Sequence, residues 1–411
     1  EENKTTQGIN VAAPDKSNAV NFHISDDRLG EGSPKEKFQR NIAAIMLLEQ
    51  IEGENRYATP QEQQILSQYV GWGGLADAFD ESKSNWSAEY HQLKELLSPE
   101  EYCMARESTL NAHYTSPVII RQMYETLEKM GFSKGNVLEP SMGIGNFFGM
   151  MPDSMKESRL YGVELDSITG RIAKQLYPQA DVQIKGFEKT DYPNDFFDVA
   201  IGNVPFGQYK VADKQYDKNN FLIHDYFFAK TLDKVRSGGV VAFITSKGTM
   251  DKVRRYLAQR ADLLGAVRLP NTAFKANAGT EVTSDILFFQ KRDRMVEREP
   301  DWVHLGEDAD GIAMNAYFAQ HPEQIVGKME MVSGPYGMES TCKADDSRPF
   351  AEQLAKALQN ITGQIDTIDL DEELADDMSR QSIPADPSVK NFSYTVVDNE
   401  VYYRENSVMK P

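Results

Sequence analysis

Asn203-Val204-Pro205-Phe206-Gly207 follows a run of strand character, Phe197-Asp198-Val199-Ala200-Ile201. The spacing therefore places Asn203 at a strand's carboxyl end, where open α/β sheets collect their ligands. An Asn, a Pro and an aromatic in that position form a specific chemical device. The Asn amide oxygen and the next backbone carbonyl can accept two hydrogen bonds from a planar amino group. The aromatic ring can stack on the ring that carries that group.

A short strand, Asn136-Val137-Leu138, runs into Glu139-Pro140-Ser141-Met142-Gly143-Ile144-Gly145-Asn146-Phe147. A strand, a Gly-rich turn and a helix are the layout in which main chain closely approaches a cofactor. A second strand, Arg159 to Val163, ends in Glu164-Leu165-Asp166, and an acidic residue there usually binds the two hydroxyls of a ribose. Glu139 and Glu164 are 25 residues apart, close to the usual spacing of about 20. The turn is G-x-G without a basic residue and with Glu139 before it, which serves a pyrophosphate poorly. Glu139 suits a positive group such as an α-amino group. A nucleoside with an amino-acid tail fits both ends, which favours S-adenosyl-L-methionine over NAD.

Further strands are expected at Val182-Gln183-Ile184, Gly238 to Ile244, Ala266 to Leu269 and Asp285 to Gln290, giving an α/β sheet of about seven strands. Between them lie helices at His224–Val235 and Lys252–Arg260. The polar loop 208–222, with three Lys and two Asp, reads equally as a lid or as a solvated loop.

The flanks differ in character. Residues 1–32 are polar and read as a disordered lead-in. Ser33-Pro34-Lys35-Glu36 and Thr59-Pro60-Gln61-Glu62 are helix starts, and helices continue to Leu110, so 33–110 reads as an α-helical cap. Gly71-Trp72-Gly73-Gly74 breaks the second helix. A Trp among three Gly is more often an indole packed under a tight turn than a ligand contact. The segment 111–294 then carries the sheet. Residues 295–411 read as an acidic α+β extension or connector, with an amphipathic helix at Pro349–Ile361, an acidic run at Asp366–Asp377 and a hairpin at 394–403.

The net charge of −19 argues at first against nucleic acid, but residues 301–411 hold 21 acidic and 8 basic side chains, net −13. The first 300 residues carry only −6, so the acidity says little about a cleft there. Cys103 and Cys342 are far apart and lack metal spacing, so neither a disulfide framework nor a metal site is expected. The absence of a long apolar run or signal-peptide pattern points to a cytoplasmic protein. Glu1 in place of Met, and the stop after Lys410-Pro411, read as the ends of a fragment.

Taken together, these motifs resemble the amino-methylating (N6-adenine) DNA methyltransferases, especially the branch ordered as in type I modification subunits. Tyr114-Thr115-Ser116-Pro117 looks like that family's cofactor-clasping motif. Glu139 to Gly145 looks like its methionine-binding loop, Glu164 like its ribose ligand, and Asn203-Val204-Pro205-Phe206 like its catalytic Asn-Pro-Pro-aromatic. Leu269-Pro270, Ala273-Phe274, Gly279-Thr280 and Asp285 to Phe289 also resemble that branch. The resemblance spans roughly 110–292. More loosely, the whole chain looks like the methylase portion of large methylase–helicase proteins of phages and conjugative elements.

The resemblance implies a Rossmann-like, S-adenosylmethionine-dependent catalytic domain with DNA as partner and a helicase domain in the same full-length chain. The implied catalytic residues are Asn203, Val204, Pro205 and Phe206. The implied cofactor contacts are Tyr114, Thr115, Glu139, Pro140, Ser141, Gly143, Gly145, Glu164, Leu165 and Phe187, and the implied substrate contacts are Phe206 and Phe274. Two positions depart from the pattern. Val204 replaces a usual Pro, which a backbone carbonyl tolerates. Gly186-Phe187 stands where an Asp often meets the cofactor's adenine, and Phe187 is read as stacking there instead. A silent DNA- or partner-binding module, and a methyltransferase for RNA or for glutamine amides, are the alternatives.

Overall fold

The computed structural model describes residues 13–109, 114–274, 282–334, 337–367 and 382–411. Its centre is a seven-stranded sheet in the order β3-β2-β1-β4-β5-β7-β6. The strands are β1 (Asn136–Glu139), β2 (Arg159–Glu164), β3 (Asp181–Ile184), β4 (Phe197–Asn203), β5 (Val235–Ser246), β6 (Ala261–Arg268) and β7 (Ser284–Lys291). The first five pair in parallel. Strand β7 runs antiparallel between β5 and β6. Phe197 to Gly202 of β4 are buried, as expected of a parallel strand covered on both faces. The chain winds from β1 outward to β3, then returns to place β4 on the other side of β1. The carboxyl ends of β1 and β4 thus meet at the point where the winding reverses.

Helix identity follows from local sequence. In α1 (Pro34–Gly53), α2 (Pro60–Leu66) and α4 (Pro99–Ser108), Ser33, Thr59 and Ser98 each form a capping box with a Glu three residues on. Between the last two lies α3 (Ser87–Leu96). Trp72 is buried under its glycine turn, edge-on to Phe38 (6.0 Å), Tyr69 (6.3 Å) and Phe79 (5.5 Å). Asn41 clamps that turn, donating to the Gly71 carbonyl at 2.6 Å and accepting from the Val70 amide at 2.9 Å.

Next along the chain come α5 (Pro117–Lys129), α6 (Asn146–Gly149) and α7 (Ser167–Leu176). The helical residues before 110 do not stand apart: their core is continuous with Ile168, Ile172 and Leu176 of α7 and with Met142 and Phe148 beside the sheet. The reading of 1–32 as disordered fails for its described part. Ile24 and Leu29 are buried, and the Phe22 and Ile24 amides donate to the Leu176 (2.7 Å) and Gly149 (2.9 Å) carbonyls. Two apolar side chains in a polar stretch are enough to dock it. Residues 1–12, 110–113 and 279–280 lie outside the described residues, as does most of the acidic run 366–377.

Beyond β4 follow α8 (Ile223–Lys234), α9 (Thr249–Lys252) and α10 (Arg254–Arg260). The loop 208–222 is pinned to α8: Tyr226 and Lys230 donate to Asp213 at 2.7 and 3.2 Å, and Lys230 also reaches the Phe187 carbonyl at 2.9 Å. Past the sheet come β8 (Leu305–Glu307), β9 (Ala313–Asn315) and α11 (Ala316–Gln320). A hairpin of β10 (Lys328–Gly334) and β11 (Gly337–Lys343) rests on the sheet rim, where the Asn271 amide donates to the Cys342 carbonyl at 2.7 Å. Helix α12 (Phe350–Gln359) packs its Leu354 and Leu358 into the core that holds Ile119 and Met123 of α5.

A last small sheet comprises β12 (Ile383–Pro384), β13 (Tyr394–Val397), β14 (Glu400–Glu405) and β15 (Val408–Lys410). Strands β13 and β14 form the expected hairpin, turning on Asp398 and Asn399, both at positive φ (51° and 68°). Ser407 anchors this sheet to the amino end of β4, donating to Asp198 Oδ2 at 3.0 Å. Asp198 also accepts from the Asn136 amide at 2.7 Å and from Arg236 Nε at 2.6 Å.

Candidate active site

The candidate site is the rim formed by the carboxyl ends of β2, β1 and β4. At the end of β1, Glu139 is only 1% exposed, and its Oε2 has no hydrogen-bond partner among the described residues. Its neighbour across the sheet is Gly202, where a Cβ would lie 3.1 Å from both Glu139 Cγ and Oε1. The missing side chain on β4 is what lets Glu139 lie over the strand. Burial, reinforced by the nearby Glu164 charge, pushes the Glu139 carboxyl well above the usual range. A buried carboxylate with an empty acceptor is costly unless a cation or donor arrives to meet it.

The turn after β1 is built for close approach. Gly143 and Gly145 have φ of 57° and 93°, and a Cβ on Gly145 would fall 2.4 Å from the Tyr177 ring. Glu164, at the end of β2, holds this turn: its Oε2 accepts from the Gly143 amide at 2.8 Å and its Oε1 from the Asp166 amide at 2.9 Å. Each oxygen retains accepting capacity for a ligand hydroxyl. Burial first, and then the charge of Asp166, push Glu164 up to about 7, against the lowering pull of those two amides. Pro140 is buried and Ser141 half-buried in the same turn, while Leu165 stands 66% exposed beside Glu164.

Asn203 closes β4 and is half-buried. Its Nδ2 donates to Thr115 Oγ1 at 3.1 Å, and Thr115 is itself buried. The following Val204 amide donates to the Ile244 carbonyl at 3.1 Å, extending the strand pairing one residue further. The Val204 side chain is buried in the core and takes no part in a cleft, whereas Pro205 and Phe206 are half-buried.

Three expected contacts lie elsewhere. Phe187 is 2% exposed, 5.0 Å from the Phe227 ring and under Lys230 Nζ at 5.1 Å, so it is a core residue and offers no free face for stacking. Phe274 is 3% exposed within the core that holds Leu269 and Ile286. Tyr114 turns toward the amino-terminal segment, its hydroxyl donating to the Leu29 carbonyl at 2.5 Å and its ring lying against Gly30. The sequence reading overlooked Gly202 and Tyr177. A glycine inside a strand was the available signal for Gly202, because it often marks a close approach. Nothing local marked Tyr177.

The strand order, the reversed β7 and a glycine turn held by the acidic end of β2 decide the architecture. This is the class I methyltransferase fold. No protein-family model matches the chain. The chain is 31% identical to Defense against restriction protein B of Escherichia phage P1 over 302 residues, which cover 70% of this chain and 12% of the phage protein. This methyltransferase-fold chain therefore spans about an eighth of that relative's length. It is also 26% identical over 201 residues to an rRNA N(6)-adenosine-methyltransferase of Caenorhabditis elegans, covering 45% of this chain and 89% of that one. Among solved structures, the M protein of the type I restriction enzyme EcoKI aligns at a TM-score of 0.37 and 13% identity, over 81% of this chain and 91% of that one.

Proposed function

We propose that the chain is an S-adenosylmethionine-dependent methyltransferase acting on the N6 amino group of adenine in DNA. The observation that carries this reading is the meeting, at one reversal point of the sheet, of an acceptor-bearing Asn203 with a buried Glu139 whose Oε2 has no partner among the described residues. The donor set fits the cofactor. Glu139 would take its α-amino group, Glu164 its ribose hydroxyls and the exposed Leu165 its nucleoside face, beside a turn that carries no side chain at Gly143. When bound, the cofactor supplies a methyl group on a positively charged sulfur.

The chain's own part is to hold the acceptor. Asn203 Oδ1 and the Val204 carbonyl accept hydrogen bonds from the N6 amino group, which favours a pyramidal nitrogen whose lone pair is localised on N6 and out of conjugation with the ring. Phe206 stacks on the base, a contact worth roughly 1–3 kcal/mol. An adenine in a duplex reaches such a pocket only by leaving the stack.

The likeness to an rRNA adenosine methyltransferase supports a second reading, in which the same amino-group chemistry is applied to RNA. Transfer of labelled methyl to DNA, RNA and protein separates the two. Adenine methylation of DNA that disappears in Asn203→Ala, with cofactor binding retained, is the expected result. Normal turnover by that variant sinks the assignment.

A further inference from the structure

We propose that Thr115 is a positioning residue, whose hydroxyl tethers the Asn203 amide so that it meets the substrate in a fixed place. The inference rests on the methyltransferase reading of the site and reassigns a residue that the sequence suggested as a cofactor contact. A primary amide has one accepting and one donating end, and only the accepting end can receive the hydrogens of an amino group. Rotation by half a turn would present Nδ2 to the substrate and set donor against donor. The backbone does not prevent this, because pairing through β4 fixes the Asn203 main chain and leaves its terminal torsion broad.

The side chain of Thr115 supplies what the strand lacks. It is buried, two residues before α5, and its Oγ1 lies 3.1 Å from Asn203 Nδ2. A hydroxyl can donate or accept, so the contact limits the rotation of the side chain; in the arrangement present Oγ1 accepts from Nδ2, and Oδ1 is directed away from Thr115, open to the substrate. Thr115 is held in turn from outside the catalytic strand. Its neighbour Tyr114 is bonded to the Leu29 carbonyl, and Pro117 opens α5 with a restricted φ.

The test compares Thr115→Val, which keeps shape and loses the hydroxyl, with Thr115→Ser, which restores it. Thr115→Val should lower kcat roughly 10- to 100-fold, the scale expected for a misoriented group, while cofactor affinity by calorimetry stays within about twofold. Thr115→Ser should recover most of the rate. With asparagine-selective 15N labelling, the Asn203 side-chain amide should exchange faster in Thr115→Val, a readout independent of turnover. An unchanged kcat and unchanged amide exchange in Thr115→Val would overturn the proposal. So would a loss confined to cofactor affinity, which would return Thr115 to the cofactor. Failure of the unaltered chain to methylate DNA or RNA would overturn the underlying reading; the amide exchange would still decide the Thr115 contact by itself.

Discussion

Glu139 on β1 and Gly202 on β4 are fitted to one another: a Cβ on Gly202 would stand 3.1 Å from the Glu139 carboxylate arm. That distance is tighter than ordinary contact, so the carboxylate must shift by a few tenths of an ångström to admit a methyl group. Gly202→Ala is expected to cost roughly 1–3 kcal/mol of stability as an overpacked core site. It should also weaken the stabilisation that added cofactor confers. Thermal melts with and without S-adenosylmethionine check both effects; an unchanged cofactor shift would show that Glu139 is not placed by this gap.

The raised pKa of Glu139 makes a signed prediction about pH. A carboxyl whose folded pKa lies above its unfolded value holds its proton when the unfolded chain has lost it. Its contribution to stability is complete below the unfolded pKa, about 4.5, and is lost as pH rises toward the folded value. Glu164, at about 7, acts in the same direction. Glu139→Gln should therefore melt higher than the unaltered chain at pH 8, with the difference fading toward pH 4.5. The same variant should bind the cofactor more weakly at pH 8.

At the far end of β4, Asp198 is the counter-ion of Arg236, and both are buried. Removing one partner of a buried pair leaves the other charge uncompensated, at a cost of roughly 3–5 kcal/mol. Asp198→Ala should lower the free energy of unfolding, measured by denaturant titration, by that amount. It should leave cofactor affinity intact in the folded fraction, since Asp198 and Asn203 sit at opposite ends of the strand. A selective loss of cofactor binding would contradict this separation.

Lys230 ties the 208–222 loop to α8 through Asp213 and is itself buried. Lys230→Met should release the loop, exposing sites around Lys210, Lys214 and Lys218 to trypsin several times faster than in the unaltered chain. Equal cleavage rates would mean that the loop is held by its other contacts.

The parts of this molecule legible in its sequence are those with local causes. Capping boxes at Ser33 and Thr59, the alternation of strands and helices, the turn at Gly143–Gly145 and the strand end at Asn203 depend on near neighbours, and the structure has them where expected. The aromatic contacts were not legible. Phe206 and Phe187 both follow a strand by a few residues, and nothing within that window says that one stays half-buried while the other packs against Phe227 and Lys230. That choice is made by α8, more than 30 residues further on. Residues 13–32 misled for the complementary reason: their composition is polar, but Ile24 and Leu29 find their pockets on distant elements.

The anchorage of Ser407 on Asp198 also has a consequence for synthesis. The two residues are 209 positions apart, so the contact cannot form until Ser407 has followed Asp198 out of the ribosome. Strands β1 to β5 can pair before then, with Asp198 and Arg236 already facing each other but lacking their hydroxyl donor. Closing this last, long-range contact carries a high loop-closure entropy and belongs among the slow steps of folding. A nascent chain would thus complete its cofactor rim well before it seals the opposite end of the same strand.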